Sequence, residues 1–171
     1  MNPELQHYLN LIDDLRSQVH ALIADLPAEA LNWRPVEGTD DHATNSLAVL
    51  AAHVAGAEHY WLGEVIGGLP ATRNRAAEFT LKTTTAAELI YRLDEVGGQS
   101  RQVLAVLSPT DLDGVREAQG RPVSVRWAIL HVIDHTALHL GHMQLTYQLW
   151  MGGQSTPSPR WFERLSGGER K

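Results

Sequence analysis

Histidines recur at short, regular intervals between Trp127 and His142, a segment that holds four of the nine histidines of the chain. His131, His135 and His139 follow one another every fourth residue, so on a helix they lie on one side, one turn apart. His142 comes seven residues after His135 and returns to nearly the same side. Imidazole is the commonest metal ligand among side chains, and two imidazoles at i and i+4 can bind one ion. The row therefore predicts a transition-metal site rather than a set of ordinary buried histidines.

The composition limits both the ligands and the function classes. The chain has no cysteine, so the protein's metal ligands must be nitrogen or oxygen atoms, and any reacting thiol must come from a substrate. A net charge of −6 without a cluster of Lys and Arg argues against nucleic-acid binding. We find neither a signal peptide nor an apolar run long enough to span a membrane, so we expect a cytoplasmic protein. The length of 171 residues suits a single domain over 1–171.

Four long segments with the periodicity of amphipathic helices must position the histidines. Start and stop signals place these predicted helices at about 3–26, 46–66, 86–107 and 125–151. Leu130, Leu138 and Leu145 predict that much of the last helix is buried. With hardly any strand signal, the sequence predicts an all-α four-helix bundle. The connections after the second and third helices are long enough to cross the bundle, so the helix order stays open.

A further inward histidine comes from the second helix. His53 shares a face with apolar residues, so we expect it to face the histidine row of the last helix. The predicted site is therefore His53 with two or three of His131, His135 and His139. Three neutral imidazoles suit Zn, Ni, Fe or Co, with an open position for water or substrate. Three other histidines are expected at the surface or periphery: His7, His20 and His59.

The segments between and after the helices are interpreted as connections and a tail. The connections cover 27–45, 69–84 and 108–123, the last with a short extended piece near Val115. Trp33 is expected to cover one end of the core, and Arg73 and Arg75 are expected to lie in a solvated loop. The tail, 155–171, is expected to form a short helix or a packed arm.

Several of these segments resemble the DinB-like (YfiT-like) metalloprotein family. Residues 31–35 and 46–58, followed by Tyr60 and Trp61, are similar to its first half, and 131–142 are similar to its C-terminal metal motif. The resemblance implies a four-helix bundle with a divalent metal ion, and by position it implies the ligands His53, His135 and His139. His131 and His142 would then lie beside the metal, and many relatives have Gln at the position of His142.

The resemblance implies the metal more directly than the reaction, because characterised relatives include thiol-dependent S-transferases, a mycothiol-dependent maleylpyruvate isomerase and metal-dependent hydrolases. The leading hypothesis is a transferase that uses Zn, Ni or Fe to activate a small-molecule thiol. His131 and His142 are the candidate catalytic residues, either as proton shuttles or as pocket lining. Within helix 125–151, Thr136 stands where zinc peptidases have a general-base glutamate, which argues against peptidase activity. Two alternatives stay open: hydrolysis by metal-activated water, and a non-catalytic metal-binding stress or interaction module. A homodimer is among the expected assemblies.

Overall fold

The computed structural model describes residues 2–36 and 44–154. Its helices, in chain order, are α1 (Pro3–Ile23), α2 (Ala28–Asn32), α3 (Leu47–Glu58), α4 (Arg75–Phe79), α5 (Ala86–Val106) and α6 (Val125–Trp150). Helix α3 continues without a break into a π-helical segment, His59–Ile66. A 3-10 turn (Pro109–Asp113) and an antiparallel hairpin of β1 (Val115–Ala118) and β2 (Arg121–Ser124) lie between α5 and α6.

The four long helices form the predicted bundle. Helix α1 packs against α5 and α6, and α3 packs against the same two helices. Consecutive long helices α1 and α3 therefore lie diagonally opposite each other, which is not the simple up-and-down order. One part of the core surrounds Leu50, Leu89 and Met143, and another surrounds Leu62 and Ile129. Among the described residues, no helix combines the length and hydropathy needed to cross a membrane.

The boundaries of the long helices agree with the prediction to within a few residues, because their start signals are local. Asn2, Ser46 and Ser124 each accept a hydrogen bond from a backbone N–H of the first turn of α1, α3 and α6. Helix α1 ends at Ile23 rather than near 26, and Pro27 then precedes α2.

The connections contain more regular structure than the sequence predicted. Helices α2 and α4 lie within 27–45 and 69–84, two segments that the sequence predicts to be connections without helices. The extended piece expected near Val115 is confirmed as β1. Trp33 lies edge-on to Trp150 at the end of α6, with ring centroids 5.8 Å apart. The predicted tail, 155–171, lies outside the described residues.

The expectation that the leucines of α6 are buried is wrong. Leu130, Leu138 and Leu145 are 45%, 56% and 55% exposed. Helix α6 buries a different face. The buried side chains on it are Val125, Ala128, Ile129, Val132, Thr136, Leu140, Met143 and Thr146. One side of α6 therefore presents an apolar surface to the outside of the described protein.

A buried ion pair joins three of the long helices. Arg16 of α1 donates from Nη2 to Glu58 Oε1 at 2.6 Å, and Ser100 of α5 donates to the same oxygen at 2.6 Å. The guanidinium lies against Gly97 of α5, where an added Cβ would be 2.5 Å from Nη1. The absence of a side chain at Gly97 therefore allows Arg16 to lie close to the backbone of α5.

Candidate metal centre

Three imidazoles from two helices converge on one point. His53 of α3 faces His135 and His139, which the spacing of four residues places one turn apart on α6. Each of the three offers a nitrogen, and these atoms all lie within 4.8 Å of one another. The Nε2 atoms of His53 and His135 are 3.1 Å apart. Nitrogens that bind zinc at about 2.0–2.1 Å lie roughly 3.0–3.4 Å from each other, so this group can hold a metal ion.

Two of the three imidazoles, His135 and His139, are favoured in the neutral form that metal binding requires. His53 is buried, and His135 and His139 are half-buried. Burial, with the neighbouring His139, His53 and His131 imidazoles and the Arg73 guanidinium, lowers the pKa of His135 to about 3. Burial, with His53 and His142, lowers the pKa of His139 to about 4. At neutral pH the lone pairs of these two rings are therefore available to an ion.

The second nitrogen of His53 is held by a carboxylate. Glu78 of α4 places Oε2 2.8 Å from His53 Nδ1. Arg73 donates to both oxygens of Glu78, from Nε at 2.7 Å and from Nη2 at 2.9 Å. Burial acts to raise the pKa of Glu78, but the hydrogen bonds from Arg73 and His53 outweigh it and leave that pKa below its usual value. The carboxylate is thus ionised where it meets the imidazole.

The other two imidazoles have weaker outer contacts. His142 Nδ1 lies 3.4 Å from His139 Nδ1, at the long end of hydrogen-bond distances. Within the described part of the chain, His135 Nδ1 is buried and has no hydrogen-bond partner. The support of the three rings is therefore unequal, and it is strongest at His53.

His131 lies beside the three-imidazole group within a set of aromatic rings. Its ring stacks on Trp127 with centroids 4.8 Å apart and planes 8° apart, and Trp61 meets it edge-on at 5.2 Å. The centroid of His135 is 5.6 Å away. Burial lowers the pKa of His131, and Asp134 only partly opposes this, so the ring is neutral at pH 7.

The structure thus brings together the predicted residues His53, His135 and His139, with His131 and His142 next to them. His59 lies away from this group, as predicted, but it is not a surface residue. Its Nδ1 lies 2.7 Å from Gln99 Oε1 and its Nε2 lies 2.9 Å from Thr72 Oγ1. His7 is exposed and His20 is partly exposed, as predicted.

Sequence reasoning missed Glu78 and misplaced Arg73. Arg73 lies in the connection before α4, as expected, but it is not solvated, because it forms an ion pair with the buried Glu78. Arg75 is exposed, as expected, but it is the first residue of α4 and not part of a loop. A signal was present in the sequence: Asn74 is a typical N-cap residue followed by good helix formers, and its side chain accepts the Ala77 N–H at 3.1 Å. That signal predicts a short helix but not the contact with His53.

The fold and the site define a class: an all-α four-helix bundle with a three-histidine group between two of its helices. The chain belongs to the mycothiol-S-transferase family, whose family model matches residues 7–151. The predicted DinB-like resemblance is confirmed.

Solved structures show the same fold. A DinB-like protein from Bacillus cereus has 18% identity and a TM-score of 0.67, over 91% of this chain and 95% of that one. A conserved protein from Enterococcus faecalis has 15% identity and a TM-score of 0.70, over 89% and 99%. A DinB-like protein from Bacillus subtilis has 19% identity and a TM-score of 0.60, over 92% and 96%. A comparison with curated proteins gives no match.

Proposed function

We propose that the protein binds a divalent metal ion through His53, His135 and His139 and catalyses transfer of a small-molecule thiol to an electrophile. The observation that carries this proposal is the convergence of three imidazole nitrogens within 4.8 Å of one another. Zinc, nickel and iron all accept such a nitrogen donor set. The ion, when bound, supplies a Lewis acid that lowers the pKa of a thiol or of water. Membership of the mycothiol-S-transferase family supports the thiol as the nucleophile.

The transfer converts R–SH and R′–X into R–S–R′ and HX. The site must therefore admit the sulfur atom of the thiol and provide an acceptor for its proton. The chain has no cysteine, and the sulfur therefore comes from the substrate. His131 is the proposed proton acceptor, because its imidazole is neutral and its centroid lies 5.6 Å from that of His135. Trp61 and Trp127 surround this ring and limit its contact with water. His142, in contact with His139, is the second candidate for proton transfer.

Metal content tests the site before any reaction is assumed. We expect about one zinc ion per chain after loading and desalting of the wild type, and loss of that ion in His53→Ala and His135→Ala. His7→Ala, which changes an exposed histidine, is the matched control and should keep the ion. A wild type that retains no more metal than His53→Ala would show that the proposed site is wrong.

The reaction is tested with mycothiol and an alkylating electrophile. We expect the metal-loaded protein to accelerate thiol consumption, and His131→Phe to slow it while leaving the metal content unchanged. Hydrolysis of an ester or amide without added thiol would instead favour the hydrolase alternative. Bound metal with neither activity would favour the non-catalytic module.

Three further expectations remain predictions from the sequence: a cytoplasmic location, the absence of nucleic-acid binding, and a homodimer. The exposed leucines of α6 give the last of these a surface to examine, since contiguous exposed apolar side chains are uncommon on monomers. Sedimentation of wild type beside Leu138→Lys would test it, and a monomeric wild type would contradict it.

A further inference from the structure

The partner of His53 is a built arrangement of three residues. Glu78 and His53 are each 6% exposed, and their side chains are in contact at 2.8 Å. Both the carboxylate and the imidazole are therefore largely shielded from water. Arg73 contacts both oxygens of Glu78, which fixes the carboxylate as a bidentate pair does. The ring of Phe79, the residue next to Glu78, packs on the His53 ring with centroids 4.9 Å apart. Two successive residues of α4 therefore hold the orientation of one imidazole.

The backbone of α3 is shaped for this contact. At Gly56, three residues after His53, an added Cβ would be 2.1 Å from Glu78 Oε1 and 3.2 Å from Arg73 Nε. Any larger residue would therefore displace the carboxylate. The missing side chain at Gly56 forms a notch that lets the charged pair reach the helix.

The hydrogen bond determines the tautomer of His53. An ionised carboxylate has only acceptors, so a 2.8 Å contact requires a proton on Nδ1. Arg73 Nη2 is also near Nδ1, at 3.4 Å. If Nδ1 were deprotonated, however, its lone pair would face a lone pair of Glu78 Oε2 at the shorter distance of 2.8 Å. With Nδ1 protonated, Nε2 carries the lone pair, and Nε2 is the atom that faces His135.

We propose that Glu78, held by Arg73 over the notch at Gly56, is a positioning residue that locks His53 as the Nδ1-protonated tautomer and so presents Nε2 to a divalent cation. This rests on the proposed metal site. A ligating histidine commonly donates its other N–H to a carboxylate, which also increases the basicity of the ring, and loss of such a partner weakens metal binding by about 10–100-fold. Neither His135 nor His139 has a charged partner at its second nitrogen among the described residues, so Glu78 is the main determinant of ligand orientation.

The first test needs no metal. In protein labelled with ¹⁵N histidine, long-range ¹H–¹⁵N correlation should show His53 protonated at Nδ1 and bare at Nε2. Glu78→Ala should convert it to a mixture of tautomers, whereas Glu78→Gln should retain the wild-type tautomer because its carbonyl oxygen can accept the same N–H. A Glu78→Ala spectrum with His53 unchanged would overturn the proposal.

The second test is zinc affinity measured by competition with a chelating dye. We expect affinity to fall about 10–100-fold in Glu78→Ala and several-fold in Glu78→Gln, where the acceptor remains and the charge is lost. Glu64→Gln is the matched control: Glu64 accepts the backbone N–H groups of Thr72 and Arg73, so this change loosens the same segment without touching His53.

Each result has one meaning. An equal loss of affinity in Glu64→Gln and Glu78→Ala would show that segment packing, not the contact with His53, is responsible. If Glu78→Ala does not fold, Gly56→Ala, whose Cβ would displace the same carboxylate, decides by the same readout: an unchanged His53 tautomer would overturn the proposal. If the wild type binds no zinc while its tautomer responds to Glu78, the metal site is wrong and the positioning of His53 stands.

Discussion

Replacing Gly56 by alanine tests the site through a residue that carries no chemistry. In a helix interior, Gly→Ala ordinarily stabilises by about 1 kcal/mol, because alanine loses less backbone entropy on folding. Here the new Cβ would be 2.1 Å from Glu78 Oε1 and 2.8 Å from Glu78 Cδ. The carboxylate must therefore move by about 1 Å or more to reach ordinary van der Waals distance. We expect Gly56→Ala to destabilise the protein despite its better helix propensity.

The magnitude follows from what the displaced carboxylate loses. A hydrogen bond to a charged group contributes about 1.5–3 kcal/mol, and Glu78 makes such bonds with Arg73 and His53. Some of these hydrogen bonds can re-form in the displaced position, and alanine gains about 1 kcal/mol of helix propensity. The net decrease in the free energy of unfolding is therefore about 1–2 kcal/mol. For a chain of this size that corresponds to a decrease in Tm of about 2–8 °C. Zinc affinity should fall about 10-fold, since His53 loses its partner.

The assay is thermal unfolding of the metal-free protein, followed by zinc competition on the same samples. Gly98→Ala is the matched control, because Gly98 also lies inside a long helix but an added Cβ there meets nothing within 4 Å. It should raise the free energy of unfolding by up to about 1 kcal/mol and leave zinc affinity unchanged. If Gly56→Ala is as stable as Gly98→Ala and binds zinc like the wild type, the Glu78 carboxylate is not held in place against Gly56, and the prediction is wrong.

Three other predictions concern the surroundings of the site. Gly97→Ala should lower stability by about 1–2 kcal/mol in urea unfolding, because its Cβ would lie 2.5 Å from the buried Arg16 guanidinium, and an increase would contradict this. Acidification from pH 6.5 to 4.5 should destabilise the metal-free protein, because the pKa values of His135 and His139 are lowered to about 3 and 4 and these rings take up protons mainly on unfolding. In His139→Gln, the free energy of unfolding should depend less steeply on pH. His142→Ala should weaken zinc binding only a few-fold, because the 3.4 Å contact between His142 and His139 is long. A loss of about 100-fold would show that His142 contributes more to metal binding than this contact indicates.

The sequence predicted the long helices and the convergence of their histidines because both depend on local, periodic signals. His135 and His139 occupy one face of α6 by spacing alone, and the apolar character of α3 turns His53 inward. An N-cap such as Ser124 starts a helix wherever the rest of the chain lies. The ligand positions needed only the helical repeat and the assumption that two inward faces meet.

The outer partners were not predictable in the same way. Glu78 reaches His53 across 25 positions in the chain, through a helix of five residues whose docking depends on Gly56. No periodicity marks such a contact, and a polar segment with two arginines favours a solvated loop. The burial of α6 was misjudged for a related reason: its leucines and histidines both follow helical spacing, and only packing decides which face is covered.

The division between long and short helices also predicts that the convergence of the three histidines and the orientation of His53 depend on different parts of the chain. The four long helices hold the core and therefore determine whether His53, His135 and His139 meet at all. Helix α4 contributes little to that core, but it supplies the charge and the ring that orient His53. Changes in α4 should consequently alter metal affinity while the bundle stays folded, whereas changes in the core should impair folding itself. A variant such as Glu78→Gln is informative for this reason: its readout is the presentation of one nitrogen atom, in a bundle that remains folded.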